Sequence, residues 1–333
     1  MRRLLNVAIL LTLLSASCGD SAAGPTARGA VSSRTTSSGT VTYVDLGTDL
    51  SPLDVAVGHG SVWVTVRGDQ SGALLEVDPE TNEIITTTDI ADPFRVAVGD
   101  DSVWATTGGE GSGTLVEVHP ATGRVLETTD IEGGPQELVF AGGAVWVAPL
   151  TGGKIIAIDP GSHEEVAQVM LADPSHLAAD QDGKIWAVAG GNDTGEVVGI
   201  DTARARIAER VNVPNIHFWN RIAAAAGSTV WVARVERRNR VVVHGIDTRS
   251  KEPVADALDV GSGSLAIAAR DDSVWVWTGV EQTISRIDAD SRQVVEEITV
   301  TGGGSSAGVA PGLTVGEGAL WLTGTHDLIR IDL

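Results

Sequence analysis

A tryptophan set among short apolar residues returns seven times along this chain, and no other feature constrains the fold so tightly. Ser61-Val62-Trp63-Val64 is followed by Ser102-Val103-Trp104-Ala105, Ala144-Val145-Trp146-Val147 and Lys184-Ile185-Trp186. Thr229-Val230-Trp231-Val232, Ser273-Val274-Trp275-Val276 and Ala319-Leu320-Trp321-Leu322 complete the series. Successive tryptophans lie 41, 42, 40, 45, 44 and 46 residues apart. A period of that length, with four short apolar runs in each unit, is the signature of a β-propeller. The expectation is an all-β fold over residues 41–333, a seven-bladed β-propeller of four-stranded antiparallel blades. A closed ring needs every blade, which overrides the two domains that 333 residues would otherwise suggest.

Aligned on the tryptophan, the first repeat places inner strand A at 53–57, strand B at 61–66, strand C at 73–77 and outer strand D at 83–90. Asp78-Pro79-Glu80-Thr81-Asn82 supplies the C–D turn, with residue types that favour turns for local reasons. Strands A and B read as nearly continuous apolar runs, as strands do when both faces of their sheet are covered. Each face would pack on the adjacent blade, making the tryptophans wedges between blades, each burying most of ~200 Å². Trp219 and Trp277 fall outside the repeated position and are free for another role. The last repeat supplies strands A, B and C at 313–315, 319–322 and 327–331, and then the chain stops. Val41-Thr42-Tyr43-Val44-Asp45-Leu46 matches the strand D ending of other blades. The amino-terminal strand is therefore expected to complete blade seven, close the ring and remove two exposed sheet edges.

Cys18 is the only cysteine, which excludes an internal disulfide framework. Met1-Arg2-Arg3 and the apolar residues 4–14 form a leader too short to span a bilayer as an ordinary helix. Leu14-Ser15-Ala16-Ser17-Cys18 resembles a bacterial lipobox, with Ser15 where leucine is preferred. The expectation is a lipoprotein signal peptide at 1–17, lipidation of Cys18, and a flexible Ser/Thr/Gly/Ala-rich linker through residue 40. That places the protein outside the cytoplasm on a bacterial cell membrane, touching lipid only through its anchor. The alternative is a secreted protein cleaved near Ala22-Ala23.

Twenty-three basic against 44 acidic side chains give a net charge of −21, and loss of Arg2 and Arg3 would make it −23. So acidic a surface repels nucleic-acid phosphates, so no nucleic-acid partner is expected. A soluble monomer is expected.

Candidate chemistry lies in departures from the repeat. Residues just before strand A stand at the rim of the central channel. That position holds Asp54, Arg95, Glu137, His176, Arg221, Ser264 and Gly312 in successive blades. Convergent polar groups at the mouth of an apolar scaffold make a ligand site, or they pair with one another and hold the blades in register. Blade five departs most. Asn215-Ile216-His217-Phe218-Trp219-Asn220-Arg221 enlarges the loop before its strand A. Its B–C loop, Arg234-Val235-Glu236-Arg237-Arg238-Asn239-Arg240, carries four arginines. Both loops should share the face of the polar rim. His217, Trp219, Arg234, Arg237 and Arg238 are thus candidates for holding a small molecule or protein ligand, through a carboxylate or phosphate. The alternative is a solvated hairpin whose arginines pair with nearby acids. No histidine spacing marks a metal, no compact nucleophile motif is present, and no cofactor is expected. Arg67-Gly68-Asp69 and Asp180-Gln181-Asp182-Gly183 match short adhesion and calcium motifs but read better as simple turns.

The phrase Val-Ala-Val-Gly-x-x-Ser-Val-Trp-Val followed by Val-Asp-Pro-x-Thr resembles the YVTN-repeat and virginiamycin B lyase-like propellers, over essentially all of residues 41–333. The streptogramin lyases of that superfamily are metal-dependent enzymes that open a cyclic depsipeptide by elimination with a histidine base. Their blades carry Trp-Phe-Thr-Glu and Asn-x-Ile-Gly-Arg phrases, which this chain lacks. The expected function is a lipid-anchored binding or interaction module without catalysis. The alternative is a metal-dependent lyase or hydrolase in the channel, with His176 or His217 as base and Asp54 or Glu137 on the metal.

Overall fold

Each repeat folds into one antiparallel sheet because tight turns separate its four apolar runs. In the computed structural model, residues 30–333 are described apart from 37–38, 48, 70, 110, 181, 191–193, 215–220, 225–228, 253–256 and 305–309. Two strands, β1 (Ala30–Thr36) and β2 (Gly39–Asp45), precede the first repeat. Blade one contains β3 (Ser51–Gly58), β4 (Ser61–Arg67), β5 (Gly72–Val77) and β6 (Ile84–Asp89). Blade two has β7 (Pro93–Val98), β8 (Val103–Gly108), β9 (Ser112–Val118) and β10 (Val125–Glu132). Blade three has β11 (Pro135–Ala141), β12 (Ala144–Pro149), β13 (Lys154–Ile158) and β14 (Glu165–Met170). Blade four has β15 (Pro174–Ala179), β16 (Ile185–Gly190), β17 (Thr194–Asp201) and β18 (Arg206–Pro214). Blade five has β19 (Arg221–Ala224), β20 (Thr229–Val235), β21 (Arg240–Asp247) and β22 (Leu258–Ser262). Blade six has β23 (Leu265–Arg270), β24 (Ser273–Thr278), β25 (Thr283–Asp288) and β26 (Gln293–Thr299). Blade seven has β27 (Leu313–Gly316), β28 (Ala319–Thr323) and β29 (Asp327–Asp332).

The first strand of each blade packs against the first strand of the next, and β27 returns to β3, so these strands form the inner wall of a closed ring. Packing between blades holds the ring together. Trp63 meets Val103 and Ala105 of blade two, and Trp104 meets Val145 and Val147 of blade three. The series continues with Trp146 on Ile185 and Ala187, Trp186 on Val230 and Val232, and Trp231 on Val274 and Val276. Trp275 packs with Leu320 and Leu322, and Trp321 returns to Val62 and Val64 of blade one. None of the seven indoles is more than 5% exposed.

Opposite six of the indoles the strand-A residue is Ala56, Ala97, Val139, Ala178, Ala268 or Thr314, small enough to leave the ring system room. Trp277 has the same role and is not free for another. It stands two residues after Trp275, hence on the same strand face, and is 1% exposed. A Cβ on Gly303 would come within 2.7 Å of its indole.

Ring closure follows the expected route: β2 pairs antiparallel with β29, Val41 opposite Ile331 and Asp45 opposite Asp327. One element was not expected. Ala30–Thr36, inside the stretch read as linker, pairs with β2 as a fifth strand of blade seven. Its Val31, Ser32 and Ser33 are exposed, so its sequence needs no buried face and shows no apolar period. Cys18 and the leader lie outside the described residues. Among the described residues, no helix is long and apolar enough to cross a membrane.

The C–D turns share one construction. Asp78 Oδ1 accepts the amides of Glu80 and Thr81 at 2.7 and 2.9 Å, and Asp159 Oδ1 those of Gly161 and Ser162 at 3.0 and 2.8 Å. Asp247 does the same for Arg249 and Ser250, at 2.9 and 2.7 Å. These side chains mimic a backbone turn and fix the hairpin locally.

Candidate functional site

Four rim residues are aimed by one local device. Pro52, Pro93, Pro135 and Pro174 each begin or nearly begin strand A, two residues before Asp54, Arg95, Glu137 and His176. Between each proline and the residues that follow, the pairing with strand B slips by a residue. Proline has no amide to give the ladder, and the bulge that results turns the next side chains toward the channel mouth. Strand-B threonines of blades one and two both brace the blade-two bulge. Thr106 Oγ1 accepts the Arg95 amide at 3.1 Å, and Thr65 Oγ1 donates to the Phe94 carbonyl at 3.0 Å. These threonines follow the repeated tryptophan by two residues, a signal present in the sequence but not read there.

The rim groups are joined to one another. Arg95 is 5% exposed and lies between two carboxylates. Its Nε and Nη2 donate to Glu137 Oε1 at 3.1 and 3.0 Å, and Nη1 stands 3.8 Å from Asp54 Oδ1. His176 Nδ1 is 3.3 Å from the same Glu137 oxygen. The Val96 amide donates to Asp54 Oδ2 at 3.1 Å. The Arg95 guanidinium also lies over the Phe94 ring, 4.6 Å from its centre. Burial opposes the charge on Arg95, but Glu137 and then Asp54 outweigh it and hold the group above its ordinary value. The chain of contacts therefore spans blades one to four at the mouth. Gly312 occupies the same place in blade seven, where a Cβ would come 2.8 Å from Asp54 Oδ1, so only glycine allows this approach. Of Arg221 only the backbone at the start of β19 is described, and His217 and Trp219 lie outside the described residues.

In the blade-five B–C loop two of the four arginines pair with a nearby acid, the alternative given for this hairpin. Arg234 is 7% exposed, and its Nη2 stands 2.5 Å from Glu236 Oε1. Arg240 Nη2 holds Glu236 Oε2 at 2.6 Å, and its Nη1 reaches Asp259 at 3.4 Å. The hydrogen bond from Arg240, reinforced by the charge of Arg234, keeps Glu236 below the usual carboxylate range. Arg234 thus helps to build the loop. Glu236, which sequence reasoning passed over, organises the whole turn. Arg237 and Arg238 are exposed on a short 3-10 turn, Arg237–Asn239, where Arg238 adopts φ 64°. They are the displayed cations of this loop.

Smaller motifs resolve into structure. Arg67 pairs with Asp92 at 2.7 Å and donates to the Pro93 carbonyl, joining blades one and two. Asp180 accepts the amides of Asp182 and Lys184 and the indole N–H of Trp186, which makes it a turn residue. Among the described residues, no three His, Cys, Asp or Glu side chains gather as a metal site would require.

No protein-family model matches the chain, and none of the curated proteins matches it. Solved structures do. Virginiamycin B lyase from Staphylococcus aureus aligns with a TM-score of 0.68 at 15% identity, over 88% of this chain and 99% of that one. Hydrazine synthase of Kuenenia stuttgartiensis aligns with a TM-score of 0.67 at 13% identity, over 85% and 95% of the two chains. BamB from Moraxella catarrhalis aligns with a TM-score of 0.56 at 12% identity, over 91% and 96%. At such identities the likeness is one of fold, and the fold is the propeller that the repeat implies.

Proposed function

We propose that this chain is a lipid-anchored, extracytoplasmic recognition module that binds an anionic ligand or acidic partner at the channel mouth and performs no catalysis. The observation that carries this reading is how the mouth carboxylates are used. Glu137 Oε1 receives both Arg95 and His176, and Asp54 is engaged by Arg95 and the Val96 amide. A general base or metal ligand would have to give up these partners. A rigid mouth that carries an exposed pair of arginines beside it is better suited to binding. Neighbours in fold space include both a lyase and BamB, so the fold itself favours neither class.

Thermal-shift titration against carboxylated and phosphorylated metabolites and acidic peptides tests the reading, with the wild type beside an Arg237→Glu, Arg238→Glu double variant. The expected outcome is a salt-sensitive rise in Tm for the wild type that the double variant loses. Chemical turnover of a ligand that binds would overturn the non-catalytic assignment. A Cys18→Ala protein that still sediments with membranes would overturn the anchor.

A further inference from the structure

The unexpected strand β1 fixes where the chain enters the ring. Ala30, its first residue, stands opposite Asp45 on β2, and Asp45 stands opposite Asp327 on β29. The next residue, Leu328, pairs with Thr323 on β28. Thr323 in turn exchanges hydrogen bonds with Gly312: its amide donates to the Gly312 carbonyl, and its Oγ1 accepts the Gly312 amide. Gly312 abuts Asp54. One continuous row of backbone therefore runs from Ala30 across the edge of the five-stranded blade to the channel mouth. With strands about 4.8 Å apart, Ala30 lies roughly 19 Å outward from the channel wall on the mouth side. Thr36, at the other end of β1, is about 20 Å away, toward the opposite face.

From this placement we infer that a lipid on Cys18 holds the channel mouth toward the membrane and leaves the A–B turns facing the aqueous compartment. The inference rests on the lipid-anchor reading above. Only Gly19 to Gly29 separate Cys18 from Ala30, so the ring can stand no more than about 40 Å from its anchor at that point. Turning the opposite face to the bilayer would make this segment run back along the height of blade seven, consuming about half of that reach.

Charge does not reverse the choice. Asp69, Asp92 and Glu281 are exposed on the mouth side with Arg237 and Arg238, and Asp101, Asp271 and Glu317 on the A–B turns with Arg270, so both faces mix the two signs and headgroup charge does not select between them. The attachment point decides the orientation. A partner addressed by Arg237 and Arg238 is consequently one presented from the membrane side, whereas a large soluble protein meets the A–B turns.

Energy transfer from a donor dye to an acceptor-labelled lipid tests the orientation. Cys18 is the only cysteine and its sulfur would carry the lipid, so one introduced cysteine takes the dye uniquely. The lipidated protein is placed on the outside of phosphatidylethanolamine–phosphatidylglycerol vesicles with Asp69→Cys at the mouth or Asp101→Cys on an A–B turn. Transfer from position 69 is expected to exceed that from 101 by about twofold or more, because the two lie about 20 Å apart in height. Equal or reversed transfer from protein that sediments with the vesicles overturns the orientation alone. Protein that fails to sediment overturns the anchor, and the orientation falls with it.

Discussion

Blades one to four and blades five to seven are built on the same sheet but meet the channel differently. The first four enter strand A through a proline and a bulge, and their rim side chains contact one another from blade to blade. In the last three, the described part of strand A pairs with strand B without a slip. Ser264 is exposed at its mouth position, and Gly312 has no side chain to offer. Among the described side chains, the polar ring inferred from the alignment is an arc of paired charges over blades one to four, while blade five displays Arg237 and Arg238 on its B–C loop. In the reading proposed above, a ligand would meet Arg237 and Arg238 rather than the charges that pair across blades one to four.

The largest effect should come from what both halves share. Deleting β2 removes the strand that covers β29 and reopens the ring at blade seven. The expected product is aggregated, with no cooperative melt by calorimetry. A soluble fragment in which blades one to four still melt cooperatively would show that the paired arc is self-sufficient.

Arg95→Met tests the arc itself. It removes the cation that Asp54 and Glu137 share, and breaking a buried ion pair in this way costs about 3–5 kcal/mol. Arg237→Ala with Arg238→Ala should stay within about 0.5 kcal/mol, since both side chains are exposed. Urea unfolding of the two variants measures the contrast, and similar losses would erase the distinction between the paired arc and the blade-five loop.

Acid should weaken both halves together. Asp78, Asp159, Asp201 and Asp288 are held below the usual carboxylate range. Amides of the turn are the largest cause for Asp78 and Asp159, the Arg204 side chain for Asp201 and the Ser291 hydroxyl for Asp288. A folded pKa below the unfolded one means stability that is present above pH ~4 and is lost as the pH falls through the folded values. Stability measured from pH 6 down to pH 2 should hold to about pH 5 and decline from about pH 4 downward, and a flat profile would remove these turns as a source of stability.

The smallest effect is expected at blade seven. Asp327 faces Asp45 across the strands, and burial together with that neighbour raises its pKa. Asp327→Asn should stabilise the protein at pH 7 by about 0.2–1 kcal/mol. The gain should vanish as the pH falls through the raised folded pKa, where the native carboxyl takes up its proton. A loss at pH 7 would show that the charge is useful there.

Much of this was legible in the residues. The tryptophan period gave blade number and inter-blade packing, and the incomplete last repeat gave the closure, because both follow from local pattern. Pro-x-Asp, Pro-x-Arg, Pro-x-Glu and Pro-x-His recur at four rim positions, a signal the residues carry but that was not read from them. Trp277 could have been assigned to the core from the two-residue period of a strand. Strand β1 could not be recognised, since an outer strand with exposed Val31, Ser32 and Ser33 leaves no apolar trace. For the blade-five loop the residues left two readings open, a ligand-holding cationic patch or arginines paired with nearby acids, and the structure pairs Arg234 and Arg240 with Glu236.

What the sequence determined by itself is everything set by short-range chemistry: strand periodicity, turn residues, prolines that force bulges, and small residues opposite indoles. What only the tertiary structure decided is which charges meet. Asp54, Arg95, Glu137 and His176 are about forty residues apart in pairs, and they touch because successive blades bring equivalent positions side by side. The same holds for Ala30, whose place on the mouth side follows from a register across five strands that no local pattern records.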